Sequence, residues 1–117
     1  MMAQIHIPTD IKELHPRCFA LEVSGDSMAP TVPAGAVVVV DPDTQPPRDG
    51  SEIGVVEVCG DLHICRPMHV MGQVVMFRDS KGYPPVTLPD SRCRVVGAVV
   101  LVSGAVAQIK ELQTTSL

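Results

Sequence analysis

Eleven prolines and nine glycines punctuate a chain of 117 residues, and between them stand short runs rich in valine and isoleucine. Proline removes a backbone donor and glycine weakens a strand interior, so such punctuation cuts a chain into short strands joined by turns. The runs are "CFALEVSG" (18–25), "AVVVVDPD" (36–43), "EIGVVEVCGDLHICRPM" (52–68), "QVVMF" (73–77) and "RVVGAVVLV" (94–102). Loops are expected at 45–50 ("QPPRDG") and 79–85 ("DSKGYPP"). Ahead of them, "PTDIKELHP" offers a Thr9 or Asp10 cap, Glu13 in the first turn and a stop at Pro16, which predicts one short helix. The pattern predicts an all-β, mostly antiparallel domain with a short N-terminal helix. The tail "AVAQIKELQTTSL" suits a strand or a frayed helix.

Two local readings set register. The run over 52–68 contains a hairpin, and Gly60-Asp61 is expected at its turn, with Cys59 and Leu62 flanking. Val56 would then lie opposite Cys65, and Val58 opposite His63. Gly97, inside the last apolar run, predicts a bulge or a close backbone approach.

Composition excludes several functions. The formal net charge is −4, which gives no basic face for direct nucleic-acid binding. No uninterrupted apolar run approaches the ~20 residues of a membrane helix, and "MMAQIHIPTD" has no signal-peptide core. Cys18, Cys59, Cys65 and Cys93 lack any C-x-x-C spacing and suit free thiols in a reducing cytoplasm. Cys59, His63, Cys65 and His69 fall within eleven positions but read as ordinary strand residues, so neither metal nor cofactor is expected. Asp41, Asp43 and Asp49 read as solvated turn formers around the proline-rich loop.

The order "GDSMAP", "AGAVVVVDP", "DG…GVVEV.GDLHIC", "DS.GYPPV", "RVVGAVV" resembles the C-terminal domain of LexA, UmuD and phage CI-type repressors over residues 18 to about 102. It is more distantly similar to type I signal peptidases. The resemblance implies a twisted β-ribbon fold over 18–117, with 1–17 as a linker segment. It also implies a Ser-Lys dyad: Ser27 as nucleophile, the backbone N–H groups of Ser27 and Met28 as the oxyanion hole, and a lysine base in the second hairpin strand. A lysine serves as base only where desolvation lowers its pKa from ~10.4 toward neutrality.

Here the chain departs from the pattern. The family's apolar-x-apolar-Lys stretch is "LHIC", so Cys65 stands where the lysine belongs. A slip of one residue brings Arg66, and an arginine is no base. The three lysines are Lys12, Lys81 and Lys110, and Lys81 sits in a loop expected to be solvated. A thiol in an apolar site stays protonated, and losing the base of such a unit typically costs ~10⁴-fold in rate. His63 and Lys81 are the other candidate bases for Ser27. The Ala-Gly or Cys-Gly bond cut in such repressors has no counterpart before Ser27; Ala34-Gly35 and Cys59-Gly60 come after it.

The expected role is thus the C-terminal dimerisation and regulatory domain of a LexA- or phage CI-like transcriptional repressor, deficient in self-cleavage. The alternative is an active self-cleaving serine peptidase of the SOS-response type, using Ser27 with a non-standard base. Expected partners are a second copy (or a higher homo-oligomer), with a RecA filament or an antirepressor beyond it. The apolar run "RVVGAVVLVSGAV" is the expected dimer surface. DNA would be reached only through an N-terminal helix-turn-helix domain outside this chain, which the 26 residues before Ser27 cannot hold.

Overall fold

A computed structural model describes residues 7–103 and 115–116. Its elements are a six-residue helix α1 (Thr9–Leu14) and eight strands. The strands are β1 (Phe19–Glu22), β2 (Val37–Asp41), β3 (Gly54–Val58), β4 (Asp61–Val70), β5 (Gln73–Phe77), β6 (Val86–Pro89), β7 (Cys93–Ser103) and β8 (Thr115–Ser116), with a single 3-10 turn at Asp90–Arg92. Spatial order is β6-β5-β4-β3-β7-β2-β1-β8. Every pairing is antiparallel except that of β1 with β8. Among the described residues the chain is therefore mostly antiparallel β with one short helix, as the punctuation predicts. Strand β6 is an addition to that expectation. The rest of the tail, residues 104–114 and 117, lies outside the described residues.

The ten-residue β4 organises the molecule. Its first half, Asp61–Cys65, pairs with β3, and its second half, Arg66–Val70, pairs with β5. Two-residue turns stand at both of its ends. Cys59 and Gly60 (φ 51° and 84°) connect β3 to β4, and Met71 and Gly72 (φ 50° and 78°) connect β4 to β5. Two consecutive positive φ angles are the signature of the type I′ hairpin turn, which favours glycine at its second central position. That preference corrects the expected register. The turn falls on Cys59-Gly60 rather than Gly60-Asp61, so Val56 faces His63 and Cys65 faces Gly54.

Strand β2 is buried along its whole length. Val38 and Val40 join Leu21, Val23, Met28, Val32, Val55 and Ile64 in the main cluster. Val37 and Val39 face the other way, packing with Ile7 and Ala20 and touching Ile11. Burial on both faces explains an unbroken valine run where a half-exposed strand would alternate. Each such valine contributes roughly 1.5–3 kcal/mol relative to exposure. A third cluster, Val56, Cys65, Val74 and Met76, fills the space under the β3–β4–β5 sheet.

Gly97 serves both roles foreseen for it. The β3–β7 register slips between Val55↔Gly97 and Val56↔Val95, which marks a bulge. A β-carbon on Gly97 would also stand 2.2 Å from the Asp41 carbonyl oxygen.

Asp41 differs from the solvated role expected of it. At the end of β2 it is 3% exposed. It accepts from Thr44 Oγ1 (2.7 Å) and from the Asp43 backbone N–H (2.9 Å), and its Oδ2 lies 2.6 Å from His15 Nδ1. A buried carboxylate must be satisfied in this way, and the result ties the segment after α1 to the sheet. Asp43 and Asp49 are exposed as expected.

Candidate functional site

After β1 the chain leaves the sheet and turns back on itself. The Ala29 N–H donates to the Asp26 carbonyl (3.1 Å), so Ser27 and Met28 are the central residues of a tight turn. The Met28 side chain is fully buried in the main core and fixes the turn from below. Ser27 is left half-buried at the surface above it.

A second loop is stitched to this turn by three bonds. The Ser80 N–H donates to the Ser27 carbonyl (3.0 Å), the Tyr83 hydroxyl donates to Asp26 Oδ1 (2.6 Å), and Thr31 Oγ1 donates to Asp79 Oδ2 (2.6 Å). Asp79 is held in turn by Arg66 of β4, whose Nη1 also reaches the Ser51 carbonyl at 2.8 Å. The loop "DSKGYPP", expected to be solvated, is thus pinned at Asp79, Ser80 and Tyr83. Lys81 remains exposed.

Ser27 lines a cavity of about 150 Å³ together with Val23, Ser24, Gly25, Leu62, His63, Ile64 and Arg78. Cys65 is not one of its walls. Along β4, residues 62 and 64 point to the main core, while Cys65 points to the opposite face and packs with Val56, Val74 and Met76. Its thiol has no exposed surface. Burial pushes the thiol pKa up to about 12, against the opposing pull of the Arg78 charge. Cys65 therefore carries its proton throughout the neutral range and has no lone pair to offer as a base of useful strength.

Among the described residues, His63 is the one imidazole in the cavity's walls, and no carboxylate lines the cavity to orient its ring. Arg78 is the cation there, and sequence reasoning missed it. Its one signal was a charged residue directly after the apolar run "QVVMF". The remaining cysteines are free thiols: Cys59 exposed in its turn, Cys18 and Cys93 half-buried. Among the described residues no helix is long and apolar enough to cross a membrane.

The family model described as Peptidase S24-like matches residues 2–100 of the chain. No curated protein matches it.

Proposed function

Because the chain belongs to the Peptidase S24-like family, the group of LexA, UmuD and CI-type domains, we propose that it is a regulatory and assembly domain that has kept the peptidase scaffold and lost self-cleavage. The observation that carries this reading is the state of Cys65. By the resemblance of "LHIC" to the family's apolar-x-apolar-Lys stretch it stands for the lysine, and it is a protonated, buried thiol outside the Ser27 cavity. A serine hydroxyl without a base is a weak nucleophile. Ser27 and Met28, at the family's nucleophile and oxyanion positions, would then shape a binding cleft rather than a reaction centre.

In this reading the domain pairs with a second copy, and any operator contact is made by a separate DNA-binding domain. A RecA filament or an antirepressor is a candidate regulator of that assembly. The acidic net charge agrees with protein rather than nucleic-acid partners.

The experiment is incubation of the purified protein with a separate peptide carrying an Ala-Gly bond, at pH 7 and pH 10, with and without RecA filaments, followed by mass spectrometry. The proposal expects both protein and peptide to stay intact.

One observation favours a second reading. His63 shares the cavity with Ser27, so a Ser-His pair is the route by which an active enzyme would work. Cleavage lost in both Ser27→Ala and His63→Gln would establish it.

A further inference from the structure

Cys59 and Cys93 come together where β3 ends and β7 begins. Val58, the last residue of β3, pairs with Cys93, the first of β7, and Cys59 follows directly in the hairpin turn. Strand spacing puts the α-carbons of Cys59 and Cys93 about 6 Å apart. A disulfide needs α-carbons roughly 4.4–6.8 Å apart. The positive φ of Cys59 (51°) takes it out of the strand's alternation, so its side chain is not bound to the face opposite Val58.

The side chains agree with this placement. Cys59 is exposed, and its Sγ accepts from Arg92 Nη2 at 3.9 Å, which turns the sulfur toward the residues that lead into Cys93. Cys93 is half-buried at the margin of the Val56, Val74 and Met76 cluster. Burial raises its pKa, Arg92 opposes that rise, and the Cys59 thiol is near enough to add to it. The other two thiols stand apart. Cys65 is opposite Gly54, four residues or about 13 Å along β3 from the Val58–Cys93 pair, and it has no exposed surface. Cys18 precedes β1 and packs with Val37 and Val39.

We propose that Cys59 and Cys93 form a reversible disulfide, Cys59 being oxidised first by a hydroperoxide and Cys93 resolving it. The Cys59 thiolate attacks a peroxide oxygen. An S–O bond forms, the O–O bond breaks, and the leaving oxygen takes a proton and departs as water or an alcohol. Cys59 is now a sulfenic acid and the peroxide is reduced. The Cys93 sulfur then attacks the Cys59 sulfur. The S–S bond forms, the S–O bond breaks, and hydroxide leaves as water with the Cys93 proton. Arg92, beside the Cys59 sulfur, faces the negative charge on which the first step depends. A dithiol reverses the bond by exchange. The product fastens the β3–β4 turn to β7 and stiffens the hairpin that carries Leu62, His63 and Ile64 to the Ser27 cavity. None of this depends on whether Ser27 cuts.

The test treats the reduced full-length protein with hydrogen peroxide at pH 7, quenches with iodoacetamide, and reads intact mass and peptides mapped without reductant. The expected product has lost two hydrogens, yields one Cys59–Cys93 linked peptide, and recovers both thiols in dithiothreitol. Cys59→Ser and Cys93→Ser should each abolish the linked species, while Cys18→Ser should match the parent. Arg92→Gln should form it about three- to tenfold more slowly, and a rate equal to the parent's would remove Arg92 from the proposal. If Cys93→Ser fails to fold, the linked peptide of the parent protein decides alone. An unreacted protein, an oxidised Cys59 with Cys93 still free, a bond between two chains, or a linkage to Cys18 or Cys65 would overturn the proposal.

Discussion

Arg66 holds Asp79 through two parallel hydrogen bonds, Nε to Oδ1 at 2.8 Å and Nη2 to Oδ2 at 3.0 Å, and so anchors on β4 the loop that closes over Ser27. Both side chains are largely shielded, at 28% and 19% exposure. The bidentate geometry makes this pair worth more than an ordinary surface bridge. Asp79→Ala would leave the Arg66 fork and the Thr31 hydroxyl without their acceptor, at a cost of about 1–3 kcal/mol. Urea denaturation should report that loss. Amide exchange should show the Ser80 N–H, which bonds to the Ser27 carbonyl, opening faster than in the parent protein.

Asp41 should carry part of the protein's response to acid. Burial alone would raise its carboxyl pKa, but hydrogen bonds from Thr44, the Asp43 N–H and His15 outweigh burial and hold it below the ordinary 3.8. A carboxyl whose folded pKa is depressed contributes stability that is complete above its unfolded value and lost as pH falls through the folded one. The urea midpoint should therefore be insensitive to Asp41 above about pH 5 and fall below pH 4. Asp41→Asn should cost about 1–3 kcal/mol at pH 7 and flatten the acid limb. An unchanged acid limb in that variant would contradict the assignment.

Gly97→Ala places a methyl group 2.2 Å from the Asp41 carbonyl oxygen. Backbone on both sides leaves nothing flexible to yield, so β2 and β7 must part. The expected loss is about 3 kcal/mol or more, at the upper end for an overpacked interior. Thermal melting of the variant checks it, and a change within experimental error would be inconsistent with this approach of the two strands.

Thiol chemistry separates the cysteines. Iodoacetamide at pH 8 should label exposed Cys59 first and Cys65 last, since the Cys65 thiol is buried and ionises only at about 12. Mapping by mass of the modified peptides gives the order. Cys65→Ser should destabilise the protein more than Cys65→Ala, because a hydroxyl among Val56, Val74 and Met76 finds no partner, at a cost of about 1–3 kcal/mol.

Much of this architecture is legible in the sequence because its signals are local. Valine and isoleucine runs between prolines and glycines give seven of the eight strands or leave them open, and "QVVMF" matches β5 residue for residue. Strand β6 escapes because Val86–Pro89 is four residues long with Pro84 and Pro85 before it, and only pairing with β5 makes it a strand. The β3–β4 register escapes as well, because Gly60-Asp61 looks like a turn by composition. What decides the matter is the positive φ of both Cys59 and Gly60. The buried place of Asp41 and the pinned loop 79–83 depend on His15, Arg66 and Tyr83, partners 13 to 57 residues away. No local pattern encodes such pairings. The same holds for Arg78, whose place in the Ser27 cavity follows from the fold and not from its neighbours in sequence.

The central claim, that Ser27 has lost its base, is tested most directly by mass spectrometry of the protein and of an added peptide carrying an Ala-Gly bond, after prolonged incubation at pH 7 and pH 10 with activated RecA filaments. The account predicts intact protein and intact peptide under every condition. Cleavage of either, absent from Ser27→Ala, would contradict it.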